Sequence, residues 1–167
     1  MKDSNTRVYQ QDTGENLYRR SIYTFWKRTA PPPSMEILNA PTRDVFCTRR
    51  DRTDTPLQAF VTLNDPQFVE AARQLAARVV DRETTFDARL DLASESLLGR
   101  RFDKQERAVL RQLVQNATKR FQDDAAKAEA LLSVGDSKSD LKCAPAELAA
   151  WTVAASEIMN LDESLTK

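Results

Sequence analysis

From Thr55 onward, apolar side chains recur at the three- and four-residue spacing of a helix face, and each run opens on residues that start helices. Thr55-Pro56 reads as an N-cap followed by proline at the first helical position, where its missing N–H costs nothing; Leu57, Phe60 and Val61 then share a face up to about Leu63. Asn64-Asp65-Pro66 repeats the signal, and Phe68, Val69, Ala72, Leu75, Ala76 and Val79 predict a helix from Pro66 to about Asp81. A third helix begins near Thr84 or Thr85, turns Phe86, Leu90, Ala93 and Leu97 inward, and stops at Gly99. Asp103 to Glu106 has the D-x-x-E spacing of a capping box and opens a helix with the stripe Val109, Leu110, Leu113, Val114, Ala117 and Phe121. The pattern runs on through Ala125, Ala128, Leu131 and Leu132 to Gly135, with a bend expected at Gln122-Asp123-Asp124. After a polar loop from Asp136 to Lys142, Pro145 starts a last helix with Leu148, Trp151, Thr152, Ala155, Ile158 and Met159 on one face, behind a weak N-cap near Ala144.

The first third is patterned differently. Leu17, Tyr18, Ile22, Phe25 and Trp26 suit a helix from about Glu15 to Lys27, the expectation adopted here, although Tyr-Thr-Phe-Trp also suits a strand. Ala30-Pro31-Pro32-Pro33 is extended or turning, because each proline biases its predecessor away from the α region. Residues 30–54 are expected to form a long ordered loop. The fold class is therefore all-α, a bundle of about five to six helices with a long Pro/Arg-rich loop. One domain is expected over residues 1–167, with the basic, loop-rich residues 1–54 packed on the helical residues 55–167.

Composition narrows the chemistry. With 167 residues, 41% hydrophobic and 30% charged, the chain can bury a core without staples, and its apolar runs are too interrupted by charge for a membrane span. Three glycines are too few for the recurring turns of a β-sandwich. There is no histidine, which removes His-dependent triads, imidazole metal ligands and the C-x-x-C-H attachment of a c-type haem. Cys47 and Cys143 are far apart in the chain and form no paired motif; two buried free thiols are the simpler reading and one long-range disulfide the alternative. No cofactor and no metal site is expected in this chain. Net charge is zero, yet residues 1–52 carry ten Lys or Arg against six acids, and residues 53–167 carry fifteen against nineteen, giving +4 and −4. The polar start Met1-Lys2-Asp3-Ser4-Asn5 lacks the apolar stretch of a signal peptide, so the chain is either cytoplasmic or a piece whose export signal lies elsewhere.

Candidate ligand-binding residues collect before and at the start of the Thr55-Pro56 helix. Arg43, Arg49, Arg50 and Arg52 crowd one loop, and guanidinium forks suit bidentate capture of carboxylate, sulfate or phosphate; pairing with Asp44, Asp51, Asp54 and the acidic helices is the simpler reading. Gln58 and Asn64 bracket the short helix and either contact a ligand or cap and cross-link backbone. Arg19, Arg20, Lys27 and Arg28, interleaved with Tyr18, Tyr23, Phe25 and Trp26, have the make-up of a stacking platform. A neutral domain argues against nucleic acid, and a core helix with arginines on its solvated face explains the same residues. Asp123-Asp124 and Asp162-Glu163 read as solvated helix ends, and Met35 and Met159 as core packing. No catalytic residue is assigned.

Three runs carry a family resemblance: Leu17 to Met35 (LYRRSIYTFWKRTAPPPSM), Arg49 to Asp65 (RRDRTDTPLQAFVTLND) and Glu147 to Leu165 (ELAAWTVAASEIMNLDESL). Together they resemble the C-terminal domain of unknown function that follows cytochrome-c-like domains in large planctomycete proteins. The family pattern reads R-T-N-T-P-L-Q-A-L before L-N-D; this chain has Asp54 for the Asn and Phe60 for the Leu. The resemblance implies a truncated, extracytoplasmic accessory, at the periplasm or cell surface, whose haem motif and export signal lie in separate upstream regions. The leading expectation is a non-catalytic binding or docking module that packs on upstream domains of a parent protein or holds an anionic group or polysaccharide. The alternatives are an active site completed by upstream domains, with Arg49, Arg50 and Gln58 as substrate clamps, and a purely structural cap.

Overall fold

In the computed structural model, which describes residues 9–27, 30–49, 53–137 and 143–165, helix covers 67% of the described residues and no strand forms among them. Among the described residues eight α-helices occur in order: α1 (Pro33–Ile37), α2 (Pro56–Asn64), α3 (Pro66–Arg82), α4 (Phe86–Leu97), α5 (Lys104–Asp123), α6 (Ala125–Leu132), α7 (Pro145–Met159) and α8 (Asp162–Leu165). The chain divides into two compact units, Met1–Val61 and Thr62–Lys167.

In the second unit the helix starts are those the capping residues predict. The Asp65 carboxylate accepts from Gln67 N–H at 2.9 Å ahead of Pro66, and the Thr85 side chain accepts from Ala88 N–H. Asp103 and Glu106 complete both halves of a capping box. The bend expected at residues 122–124 is a full break. Asp124, at φ −140° and ψ 85°, ends α5 and caps α6 by accepting from Lys127 N–H. The stripes hold with two exceptions: Val109 is 67% exposed, and Ala125 faces solvent.

Helix α7 is the core of this unit and packs against α3, α4, α5 and α6. Ala149, Ala150, Ala154 and Ala155 are buried beside the expected Leu148, Trp151 and Ile158, so α7 is covered on nearly every side rather than along one stripe. Alanine at these positions lets neighbouring backbones approach closely, and Trp151 fills the end of the core against Phe86 at 5.3 Å between ring centroids. Full burial of each large side chain such as Leu90, Leu148 or Ile158 is worth about 1.5–3 kcal/mol.

Among the described residues of the same unit two charges are buried, Glu70 and Arg73 on α3. Glu70 accepts from the backbone N–H groups of Asp136 and Ser137, both at 2.9 Å, and Arg73 donates to the carbonyls of Leu132 and Ser137. The pair clasps the loop after α6, where Gly135 at φ 92° lets the backbone lie directly on Glu70.

The first unit departs from expectation. In place of a helix over residues 15–27, the chain forms two short 3-10 helices, Gly14–Tyr18 and Ser21–Tyr23, and an isolated bridge between Lys27 and Ala30. Thr13 and Arg20 supply no side-chain cap, Arg19 and Thr24 are extended, and Ile22 to Trp26 is a run of β-branched and aromatic residues that lose side-chain freedom in an α-helix. The expected 30–54 loop contains α1, which Pro33 starts at its first turn. The first-unit part of α2 is rotated from the expected face: Gln58 and Val61 are buried, whereas Leu57 and Phe60 are 56% and 62% exposed. Among the described residues no helix is long and apolar enough to cross a membrane.

Candidate functional site

The candidate residues of the first unit meet around two anchors. At the head of α2, Thr55-Pro56-Leu57-Gln58 folds as a capping box: Thr55 Oγ1 accepts from Gln58 N–H at 3.3 Å and Gln58 Oε1 accepts from Thr55 N–H at 2.9 Å. The Gln58 amide then donates to the Ile37 carbonyl at 3.0 Å and to Thr53 Oγ1 at 2.7 Å, so both its hydrogens are spent tying α1 and the incoming loop to α2. Gln58 is a cross-link; its side chain offers no amide hydrogen to a ligand.

Arg43 is the second anchor. At φ 64° it sits in the left-handed region, and its guanidinium donates to the Ser21 carbonyl at 2.7 Å and the Thr24 carbonyl at 3.4 Å while lying 5.1 Å from the centre of the Trp26 ring. The loop carrying Val45 and Phe46 is thereby pinned to the segment carrying Ile22, Tyr23 and Phe25. Trp26 is half-buried under this cation and Arg19 is exposed beyond the first 3-10 helix.

Arg49 is exposed, and its carbonyl accepts from the Cys47 thiol at 3.3 Å; Arg50 and Arg52 lie outside the described residues. Asn64 is exposed at the end of α2. Both cysteines are free, but only Cys143 is half-buried, and burial pushes its thiol pKa up; Cys47 is exposed. The structure thus brings Trp26 together with Arg43, which the spacing placed in a different crowd, and holds Gln58 apart as a fastener. No group of three or more His, Cys, Asp or Glu that could hold a metal ion occurs among the described residues.

What the pattern missed is the character of the surface. Of ten exposed large hydrophobic residues among those described, eight belong to the first unit: Tyr18, Ile22, Tyr23, Phe25, Val45, Phe46, Leu57 and Phe60. Phe46 is 91% exposed. Leu57 and Phe60 stand three residues apart on one side of α2, a stripe legible once Gln58 is read as the capping-box glutamine that must turn inward. The family described as "PSD1: Protein of unknown function (DUF1553)" matches residues 1–114. The chain belongs to this family. The matched stretch contains every residue of the apolar surface and both anchors. No curated protein and no solved structure matches the chain.

The charged groups of the second unit are arranged differently from those of the first. Arg100 forks onto Glu106 at 2.7 Å and Glu163 at 2.8 Å, Arg89 reaches Glu147 at 2.6 Å, and Arg107 pairs with Asp91. Hydrogen bonds from the Arg100 guanidinium and the Asp103 backbone hold the Glu106 carboxyl down at about 2. An open groove lined by Asp87, Lys104, Arg107 and Arg111 runs beside α5, but Arg111 bonds Asp87 at 2.8 Å and stacks 4.2 Å from the Phe86 ring centre. These four arginines serve the fold.

Proposed function

We propose that this member of the PSD1 family is a non-catalytic docking module that seats on an upstream domain of a longer exported protein. The observation that carries this reading is the number of large apolar side chains left exposed in the first unit, Phe46 above all. Monomeric domains seldom leave so many large rings in water, and apolar surface with aromatic anchors and a cationic fringe is the make-up of recognition patches. Arg19, Arg20 and Arg49 supply that fringe. The resemblance to domains that follow cytochrome-c-like domains supports an upstream domain as the occupant. A second reading, capture of an anionic ligand by the Arg loop, rests on exposed Arg49; it is weakened by Arg43, whose guanidinium is committed to Ser21, Thr24 and Trp26.

The test is binding of this chain to the separately produced upstream region of its polypeptide, measured by biolayer interferometry with wild type, Phe46→Asp and Phe60→Asp. Each ring, if buried on docking, contributes about 1.5–3 kcal/mol, so each substitution weakens binding by at least about tenfold. Both side chains are exposed in the isolated chain, so melting midpoints stay where they are. Unchanged binding in both variants refutes the docking reading, and a salt-sensitive loss in Arg49→Ala alone favours the anion reading.

A further inference from the structure

A second feature of the first unit points to a small-molecule site and does not rest on the docking reading. A cleft of about 350 Å³ is lined by Tyr9, Gln10, Gln11 and Asp12 together with Phe25 and Lys27. That volume lies within the range of about 300–1,000 Å³ usual for ligand pockets. Its shape is held from outside: Arg43 grips the Thr24 carbonyl beside Phe25, and Ala30 N–H bonds the Lys27 carbonyl at 3.2 Å to turn the chain at its end.

The lining selects a ligand class. Phe25 is 71% exposed and offers one flat apolar ring, whose electron-rich face accepts polarised C–H groups. The other lining residues are Tyr9 with a second ring, Thr24 with a hydroxyl, Gln10 and Gln11 with amides that each carry paired donors and an acceptor, Asp12 with a carboxylate and Lys27 with an ammonium. The carboxylate and the ammonium cancel, so the cleft has no excess positive charge to attract an anion. A wholly apolar ligand would strip water from the amides and carboxylate without replacing their hydrogen bonds. A ring with one C–H face and a rim of hydroxyls satisfies both halves. We propose that this cleft binds a neutral sugar ring of a glycan, stacked on Phe25 with its hydroxyls bonded by Gln10, Gln11, Asp12 and Lys27.

The experiment is an array of immobilised neutral hexaoses (gluco-, manno-, galacto- and xylo-) beside sulfated and uronic-acid oligosaccharides, probed with the whole chain and followed by calorimetry on any hit. The expected result is retention of at least one neutral class, little changed between about 0.05 and about 0.5 M salt because no ion pair is made. Retention falls about tenfold in Phe25→Ala and in Asp12→Asn, and is kept in Phe25→Trp. A melt run in parallel guards against misfolding; should Phe25→Ala lower the midpoint, Asp12→Asn decides alone. Failure to retain any neutral sugar, retention of acidic glycans only, or neutral binding indifferent to the deciding substitutions overturns the proposal.

Discussion

Gly135→Ala tests the buried clasp most sharply, because the structure supplies its own control. A Cβ at position 135 would stand 2.6 Å from Cδ and 2.7 Å from Cβ of Glu70, inside any normal contact, and the site's φ of 92° disfavours an L side chain. Gly99, also at positive φ (73°), has nothing within 4 Å of its would-be Cβ. Gly99→Ala therefore carries only the backbone term, about 1–2 kcal/mol. Gly135→Ala carries that term and also displaces a buried carboxylate that accepts from two backbone N–H groups. Losing one such charged bond costs about 1.5–3 kcal/mol, which brings the total to roughly 3–5 kcal/mol. For a chain of this length that is a fall in melting midpoint on the order of 10 °C, against about 3 °C for Gly99→Ala. The assay is thermal unfolding followed by far-ultraviolet circular dichroism near neutral pH, on both variants and on Glu70→Ala with and without Gly135→Ala. With Glu70 truncated to alanine the contact with Cδ and the displaced carboxylate are gone while the 2.7 Å contact with Cβ remains, so the added cost of Gly135→Ala shrinks but stays above that of Gly99→Ala. Equal effects of the two glycine substitutions, or full additivity of Gly135→Ala with Glu70→Ala, refute the idea that Gly135 exists to let the loop lie on Glu70.

Three further outcomes are expected. Gln58→Ala removes the helix cap and both loop ties, lowering stability by about 2 kcal/mol, with proteolysis appearing first between residues 38 and 54; cleavage elsewhere would count against the cross-linking role. Glu106 has a folded pKa of about 2 against an ordinary 4.5, so its contribution is present above about pH 4.5 and is lost as pH falls toward 2. The side chain is 33% exposed, so the effect is screened to less than about 1 kcal/mol; Glu106→Gln should flatten that portion of the acid titration, and an unchanged profile would remove Glu106 from it. Because the sequence has no histidine and no paired-cysteine motif, the purified chain is expected to be colourless and to hold no stoichiometric transition metal, and elemental analysis finding one metal per chain would overturn that.

Most of the second unit could be read from the sequence because its signals are local. Proline at a first turn, Asp65, Thr85 and Asp103 as caps and glycines beyond helix ends act within a few residues, and the observed boundaries fall within a residue or two of those expected. The buried sides of α7 beyond its main stripe were not legible, since alanine fits both a surface and a crowded interior and only the neighbouring helices decide. Glu70 and Arg73 could not be singled out either: i, i+3 charges on a helix usually face water, and their burial depends on a loop more than sixty residues away. In the first unit the Ile22 to Trp26 run supports helix spacing and strand propensity alike; the uncapped starts at Thr13 and Arg20 leave only 3-10 turns. Of the candidate residues, Gln58 had a readable local role in the T-x-x-Q pattern, while Arg43 depends on a positive φ and two distant carbonyls that no spacing encodes.

The missing helix of the first unit and the rings it leaves in water have one physical origin. A periodic stripe predicts burial only where an element is long enough to lay that stripe against a neighbour, as the seventeen residues of α3 and the twenty of α5 do. The 3-10 helices of five and three residues and α1 of five hold no fully buried residue and are too short to lay a stripe against a neighbour. Order here comes instead from polar fasteners, Gln58 on Thr53, Thr55 and Ile37, and Arg43 on Ser21 and Thr24, which hold backbone to backbone and leave apolar side chains unused. A segment stabilised in this way keeps its shape while its aromatic residues stay in water, which is the condition a pre-organised recognition surface must meet: the ordering entropy is already spent when a partner or a sugar ring arrives. The same reasoning sets the order of effects. Cutting Gln58 or Arg43 should loosen the surface and weaken every ligand it takes, whereas replacing Phe46, Phe60 or Phe25 should remove one ligand's contact and leave the fasteners and the melting midpoint intact.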